Sequence, residues 1–184
     1  MRHTPRPASA LRPRAARASA RCQRRARPRC LSEGTVVNDP GAPVGLDSRL
    51  AAIPLGHAER FTKTVSETDV YMFAAICGDF YGVHVDEEFA RTTRFGTRIA
   101  HGAMLVGFIS TVMGKMAALV PPPGGVSYRY DITFVRAVRF GDTVTTELTL
   151  AETRPERREL VFQARCANQR DETVLEGQTI LKVI

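Results

Sequence analysis

An aspartate and a histidine stand five residues apart in a turn-rich stretch, at Asp79 and His84. A second histidine, His101, is followed directly by Gly102 at the start of a long apolar segment. A carboxylate and an imidazole that reach one water can manage its protons, and a free imidazole titrates near neutral pH. These residue types and spacings predict an acid–base enzyme whose site is built on residues 78–110.

Local signals place short helices on both sides of this pair. Ser66, with Asp69 three residues later, predicts an N-terminal capping box, and Gly78 predicts the end of that helix. Asp86 predicts the cap of a second short helix over residues 87–92. The segment between them, which carries both candidate residues, is predicted to be a loop.

A long helix is predicted to start at His101, because apolar residues then fill nearly every helical face. A helix of this kind is expected to be buried on all sides, as the central element of a small domain. Its three glycines would allow a sheet, a partner helix or a ligand to approach the backbone closely. The proline and glycine run at 121–125 ends it.

The rest of the chain has the two-residue period of β-strands. Segments 126–135, 142–151, 159–168 and 172–183 are rich in Val, Ile, Thr, Tyr and Phe and are separated by short turns. A further short strand is predicted over 60–65. Connections of hairpin length make the sheet antiparallel. One long helix wrapped by a curved antiparallel sheet is the hot-dog arrangement, of the α+β class.

The N-terminal segment has a different composition. Residues 1–57 are dominated by Arg, Ala, Pro, Ser and Gly and cannot bury enough apolar surface to offset their ordering entropy, so we expect a disordered tail followed by one domain over 58–184. An Arg-rich, acid-poor segment is typical of a mitochondrial or plastid transit peptide. Four prolines would interrupt an amphipathic helix there, and a disordered tail or a misplaced start explains the composition equally well.

Charge and cysteine content exclude several classes of function. Residues 1–30 hold ten arginines and no acidic residue, so the formal charge of +7 comes from the tail and the domain itself is mildly acidic. We therefore expect no nucleic-acid binding by the folded domain. The four cysteines form no CxxC pair or zinc spacing, which argues against a metal site or disulfide framework and favours a cytoplasmic location. No apolar run is long enough to span a membrane.

Four sequence motifs point to one family. They are DFYGVHVD at 79–86, ARTTRFG at 90–96, IAHGAML at 99–105 and FVRAVRFGD at 134–142. In combination they resemble the MaoC-like dehydratases, in particular the (R)-specific enoyl-CoA hydratases, over about 59–184. There are two departures from the family pattern: its Asn-Pro pair is Tyr81-Gly82 here, and a proline of the last motif is Ala137. Glycine in place of proline is expected to loosen the loop.

This resemblance implies a hydro-lyase that adds water reversibly across the 2,3-double bond of an enoyl thioester, giving an (R)-3-hydroxyacyl thioester. Asp79 and His84 would be the catalytic pair. The substrate would be linked to coenzyme A or to acyl-carrier protein, and no metal or redox cofactor would be needed. The pathway would be fatty-acid or polyhydroxyalkanoate metabolism. A homodimer would cover the edge strand of so small a sheet.

Four further residues are candidates for substrate binding. Gly102 would donate its backbone N–H to the thioester oxygen, or it would serve packing alone. Ser110 would line the site, or its hydroxyl would bond back to its own helix. His101 would position the helix start, and Tyr81 could supply a hydroxyl in place of the missing asparagine. Arginines that could meet the CoA phosphates, or simply be solvated, are Arg91, Arg94, Arg98 and Arg129.

Two rival functions remain open at this point. A hot-dog thioesterase would aim Asp79 or Asp86 at the thioester carbonyl and release a free acid. A non-catalytic subunit of a heteromeric dehydratase would bind an acyl chain without turning it over. The spacing of Asp79 and His84, together with the later His101-Gly102 pair, favours hydration over both.

Overall fold

A computed structural model of the chain describes residues 45–184, with only the backbone of residues 46 and 47. This part of the chain forms five α-helices and five strands, and four of the helices lie between the first and second strands. The helices are α1 (Leu46–Ala51), α2 (Glu67–Cys77), α3 (Gly82–Val85), α4 (Glu87–Arg91) and α5 (Gly102–Ala117). The strands are β1 (Ala58–Thr64), β2 (Gly125–Phe134), β3 (Thr143–Arg154), β4 (Glu159–Ala167) and β5 (Thr173–Val183).

The strands form one antiparallel sheet in the order β1-β3-β4-β5-β2. Helix α5 contacts β1 and β2, which are the two edge strands, as well as β3 and β5 between them. A single helix can touch both edges only if the sheet curves around it. The predicted hot-dog arrangement of a helix wrapped by an antiparallel sheet is therefore confirmed.

Helix α5 supplies one side of the core and is not buried on the other. Its inward residues are Met104, Leu105, Phe108, Ile109, Val112, Met113 and Met116, all buried against the concave face of the sheet. Its outward residues are Ala103, Gly107, Ser110, Thr111, Gly114 and Lys115, all exposed. The prediction that this helix is buried on all sides was wrong, because small and polar residues recur at helical spacing along one face.

The folded part begins earlier than the sequence predicted. Residues 46–57 were assigned to a disordered tail, yet α1 is helical and Leu50 is completely buried in the core. Leu46, Leu50 and Ile53 recur at helical spacing and were the available signal, and the burial of Leu50 contributes about 2 kcal/mol. The expectation of disorder for residues 1–44 falls outside the described residues.

The ends of helices α2 and α4 are fixed by the caps that the sequence predicted. Ser66 and Asp69 form a reciprocal capping box at the start of α2, and Gly78 ends that helix in a left-handed conformation. The Asp86 carboxylate caps α4 through the N–H of Phe89. The intervening segment is not the simple loop expected, because residues 82–85 form the one-turn helix α3. No helix in the described part of the chain combines the length and apolar character that crossing a bilayer requires.

Candidate active site

A cavity of about 270 Å³ opens at the N-terminal end of α5. Its walls come from four parts of the fold: the α3 turn, the segment between α4 and α5, the start of α5, and the chain that leaves the end of β2. The residues that line the cavity include His84, Arg94, Gly102, Leu105, Phe134 and Arg136. The cavity therefore brings together the two regions, 78–110 and 134–142, that the sequence motifs occupy.

His84 lies partly buried in α3 with one ring nitrogen already bonded. Its Nδ1 is 2.8 Å from the backbone carbonyl oxygen of Ile99. A carbonyl only accepts, so Nδ1 carries the proton and the neutral ring keeps its lone pair on Nε2. This tautomer leaves Nε2 free to take a proton from a water in the cavity.

The side chain of His101 contacts both Asp79 and His84. Its side chain is only 2 % exposed, and its Nε2–H donates to the backbone carbonyl of Asp79 over 2.9 Å. Its ring stacks on that of His84 with centroids 3.8 Å apart and planes inclined by 26°. These contacts fix both the backbone of the aspartate and the ring of the histidine, which fits the positioning role expected for His101.

Asp79 presents a half-exposed carboxylate beside the two rings. Its Oδ1 accepts the backbone N–H of Tyr81 at 3.2 Å, and its Oδ2 lies 3.9 Å from Nε2 of His101. Polar atoms of Asp79, His84 and His101 all lie within 4.8 Å of one another. Tyr81 contributes this N–H, while its exposed ring meets the edge of His84 at 6.4 Å. Within the described residues its hydroxyl makes no hydrogen bond, so the expected hydroxyl substitute is not seen here.

An arginine clamp holds the α3 turn in place. The Arg98 guanidinium bonds to the carboxylates of Glu67 in α2 and Glu87 in α4, and to the hydroxyl of Tyr71. That hydroxyl in turn donates to the carbonyl of Val85. Arg98, which the sequence offered as one of four possible phosphate-binding arginines, is therefore committed to the scaffold around His84.

Glycine at position 82 does not leave a gap in the turn. A Cβ built there would lie 2.6 Å from the ring of Phe89, so that ring occupies the space of a side chain. The ring of Tyr81 packs against the same phenylalanine, with centroids 5.6 Å apart. The loosening expected from the loss of proline is thus offset by aromatic packing around Gly82.

Gly102 is the first residue of α5 and lines the cavity. The N–H groups of a first helical turn have no partner within the helix, and the helix dipole favours negative charge beside them. Among the described residues nothing accepts a hydrogen bond from the N–H of Gly102. A Cβ at this position would stand 3.1 Å from the ring of Phe134, so that ring packs closely against Gly102.

Asp79, His84 and His101 are also residue types that can coordinate a divalent cation. Nε2 of His101 is used by the Asp79 carbonyl, and its remaining Nδ1 is buried without a partner in the described part of the chain. The two rings are nearly parallel, so their in-plane lone pairs do not converge as tetrahedral ligands would. The cluster fits a water-holding pair better than a metal centre.

Ser110 lies apart from this group. It is on the exposed face of α5, two helical turns beyond Gly102, and does not line the cavity. Within the described residues its hydroxyl shows no bond back to its own helix either. Sequence reasoning also missed Phe134 and Arg136, which line the cavity. Their place in the motif at 134–142 was the available signal.

Burial of His84 lowers its pKa below the ordinary value of 6.5, and the charge of nearby His101 acts in the same direction. The bond to the Ile99 carbonyl and the carboxylate of Asp79 oppose this shift without cancelling it. A protonated His84 cannot take a proton, so activity is lost on the acid side. We expect the acid limb of kcat/KM to have a midpoint below pH 6.5.

The test is a pH profile of the wild type and of Asp79→Asn. Removing the carboxylate removes one effect that raises the pKa of His84, so the acid limb should move to still lower pH in the variant. An acid limb centred above pH 6.5 in the wild type would contradict the assignment of His84 as the base.

Comparison with known proteins gives consistent matches over the described domain. The family model for the MaoC like domain matches residues 54–170. An (R)-specific enoyl-CoA hydratase of Rhodospirillum rubrum is 38% identical over 128 residues, which is 70% of this chain and 86% of that protein. A 3-hydroxybutyryl-CoA dehydratase of Methylorubrum extorquens is 40% identical over 131 residues, covering 71% and 81% of the two chains.

Solved structures agree with these sequence matches. An (R)-hydratase from A. caviae involved in PHA biosynthesis superimposes with a TM-score of 0.66 at 26% identity, covering 72% of this chain and 98% of that one. An R-hydratase from Pseudomonas aeruginosa gives a TM-score of 0.63 at 30% identity, covering 73% and 84%. The family match over residues 54–170 thus spans every residue that lines the cavity.

Proposed function

The chain belongs to the MaoC-like dehydratase family, and we propose that it catalyses the reversible hydration of 2-enoyl thioesters to (R)-3-hydroxyacyl thioesters. One observation supports this above the others. The bond from His84 Nδ1 to the Ile99 carbonyl leaves Nε2 unprotonated at the cavity, with the Asp79 carboxylate beside it. The pair can hold one water with a base on one hydrogen and a carboxylate on the other.

In the hydration direction the water oxygen bonds to C3 of the enoyl group while Nε2 of His84 takes one of its protons. The Asp79 carboxylate accepts a hydrogen bond from the other water hydrogen and fixes the direction of attack. The pair then delivers the proton to C2, so that one water has been added and the protein is unchanged. Dehydration is the same path in reverse.

Negative charge moves onto the thioester oxygen during this addition. We expect the backbone N–H of Gly102, at the positive end of α5, to donate a hydrogen bond to that oxygen. This donor is fixed before the substrate arrives, so little reorganisation is needed in the transition state. The proposed chemistry uses no metal and no redox cofactor.

The reaction can be tested with crotonyl-CoA in buffer containing EDTA, recording the enoyl-thioester absorbance and free thiol together. We expect the absorbance to fall with no thiol released. Release of thiol at the same rate would instead identify a thioesterase. Loss of the absorbance only after metal is added would overturn the metal-free mechanism.

We further propose that the protein acts as a homodimer. Edge strand β2 carries exposed apolar side chains, among them Val126, Tyr128 and Phe134, and α5, which contacts β2, exposes a face of small residues. Pairing two β2 edges would cover both. In such a dimer Ser110 would face the partner subunit. Any role of its hydroxyl in a site would then be at the dimer interface.

Light scattering of the full chain is expected to give twice the monomer mass of 20.3 kDa. A monomer that turns over crotonyl-CoA would contradict the dimer. A monomer that is inactive until a second hot-dog protein is added would instead support the heteromeric subunit considered from the sequence.

The setting proposed for this activity is fatty-acid or polyhydroxyalkanoate metabolism in the cytoplasm. Both described cysteines, Cys77 and Cys166, are free thiols, which fits a reducing compartment. Cell fractionation of the full chain is the test: recovery in an organelle fraction would favour the transit-peptide interpretation of the N-terminal segment.

A further inference from the structure

Arg98 directly precedes the residue that sets the tautomer of His84. That residue is Ile99, whose carbonyl oxygen accepts the Nδ1–H of His84 over 2.8 Å. The backbone N–H of Ile99 donates to the carbonyl of Val83, the residue before His84, over 3.0 Å. These two bonds hold α3 against the segment that leads into α5, and the charged side chain beside them is that of Arg98.

The Arg98 guanidinium ties this segment to the helices on both sides of α3. Its Nε is 3.1 Å from a carboxylate oxygen of Glu87, the first residue of α4. Its Nη1 is 2.5 Å from a carboxylate oxygen of Glu67, the first residue of α2. The Glu87 carboxylate also accepts the backbone N–H of Arg98. One side chain therefore fixes the starts of two helices to the residue before Ile99.

Tyr71 extends these contacts to the residue after His84. Its hydroxyl accepts a hydrogen bond from Nη1 of Arg98 over 2.8 Å and donates to the carbonyl of Val85. The guanidinium also lies over the ring of Phe140, 4.8 Å from its centroid, in the segment after β2. The backbone on both sides of His84 is thus held by bonds that lead back to Arg98 or to its neighbour in sequence.

Arg154 shows what is particular about Arg98. Both side chains are partly buried, with 19 % exposed for Arg98 and 30 % for Arg154, and both pair with two carboxylates. The partners of Arg154 lie in β3 and β4, which are already joined by ladder hydrogen bonds. Helices α2 and α4 are outside the sheet, so the planar guanidinium of Arg98 joins elements that no ladder joins.

The position of the Ile99 carbonyl matters for chemistry. A neutral imidazole has two tautomers, and a carbonyl at Nδ1 selects the one whose lone pair is on Nε2. Without that acceptor both tautomers of His84 would be populated, and the one with Nε2 protonated cannot act as a base. A displacement of about 1 Å at a catalytic group can also cost about 10²-fold in rate.

We propose that Arg98 is a positioning residue of the reaction: its clamp holds the Ile99 carbonyl against the His84 ring and so selects the tautomer whose Nε2 is the base. The clamp is the set formed by Arg98 with Glu67, Glu87 and Tyr71. Arg98 does not line the cavity, so it acts through His84 and not on the substrate. The inference rests on the proposed function, because it assumes that His84 is the base.

The kinetic test is Arg98→Gln, for which we expect kcat with crotonyl-CoA to fall roughly 10- to 100-fold while KM changes little. Arg98→Lys should recover part of the loss, because an ammonium can pair with a carboxylate but lacks the planar fork. Tyr71→Phe removes only the bridging hydroxyl and should lower kcat by roughly twofold to tenfold. Arg154→Gln is the matched control and should keep the wild-type kcat, since Arg154 does not line the cavity.

Nitrogen NMR of the imidazole rings gives a readout that a purely structural role would not change. It is recorded without substrate, at a pH where the rings are neutral, and the His84 signals are identified by their absence in His84→Gln. We expect a protonated Nδ1 on His84 in the wild type and in Arg154→Gln. In Arg98→Gln we expect a mixture of both tautomers, with circular dichroism showing that the variant is folded.

An unchanged kcat in Arg98→Gln, or a reduced kcat with the wild-type tautomer, would overturn the proposal. If Arg98→Gln does not fold, Tyr71→Phe decides, and a wild-type kcat and tautomer in that variant would overturn it. The NMR readout also separates this inference from the reaction. If the wild type hydrates no thioester but the tautomer of His84 changes in Arg98→Gln alone, the clamp stands and the hydratase function falls.

Discussion

Replacing His84 with glutamine is expected to lower kcat for crotonyl-CoA hydration by about 10²–10⁴-fold, the range over which a positioned base accelerates reactions. Glutamine fills similar space and its amide can still donate to the Ile99 carbonyl, but it cannot take a proton. The ring stack on His101 is also lost, so circular dichroism and thermal unfolding must accompany the rates. His57→Gln is the matched control, because His57 does not line the cavity.

Asp79→Asn is expected to lower kcat over the same range. The asparagine oxygen can still accept the N–H of Tyr81, so the turn is kept while the negative charge is removed. The two residues act on one water, so the double variant should be little slower than the slower single variant. Additive losses would show that the two side chains act on separate steps.

Retention of more than about a tenth of kcat in His84→Gln would place the base elsewhere.

Gly102→Pro is expected to lower kcat by about 10²–10³-fold relative to Gly102→Ala, the range seen when one oxyanion donor is removed. Proline removes the backbone N–H that alanine keeps. Both variants add a Cβ at the place that lies 3.1 Å from the Phe134 ring, so their steric cost there is shared. That ring is half exposed and can shift.

The helix should tolerate this proline. Position 102 is the first of α5, where proline is favoured because its N–H has no intrahelical partner. The preceding residue, His101, has φ −63° and ψ 129°, in the extended region that a following proline prefers. Equal kcat in the two variants, with both folded, would show that another group stabilises the thioester oxygen.

Much of the scaffold could be predicted because its signals are local. The Ser66–Asp69 capping box, the Gly78 terminus and the Asp86 cap each depend on residues within one helical turn, and all three form as expected. The strands were similarly visible as alternation within ten residues. The spacing of Asp79 and His84 indicated chemistry for the same reason.

Features set by distant residues could not be found this way. Leu50 stands among a few apolar residues that follow a long Arg-, Ala- and Pro-rich segment, and only the assembled core shows that it is buried. The bond between the His101 ring and the Asp79 carbonyl joins residues 22 positions apart. Whether an arginine is paired depends on carboxylates from other elements: Arg98 proved to be structural because its guanidinium bonds to Glu67 and Glu87.

The most direct measurement of the central claim is the identity of the product formed from crotonyl-CoA in D₂O. The proposed reaction predicts (R)-3-hydroxybutyryl-CoA with one deuterium at C2 and an intact thioester, formed by the wild type and lost in His84→Gln. Crotonate and free coenzyme A, or a hydroxyacyl product whose formation survives in His84→Gln, would contradict it.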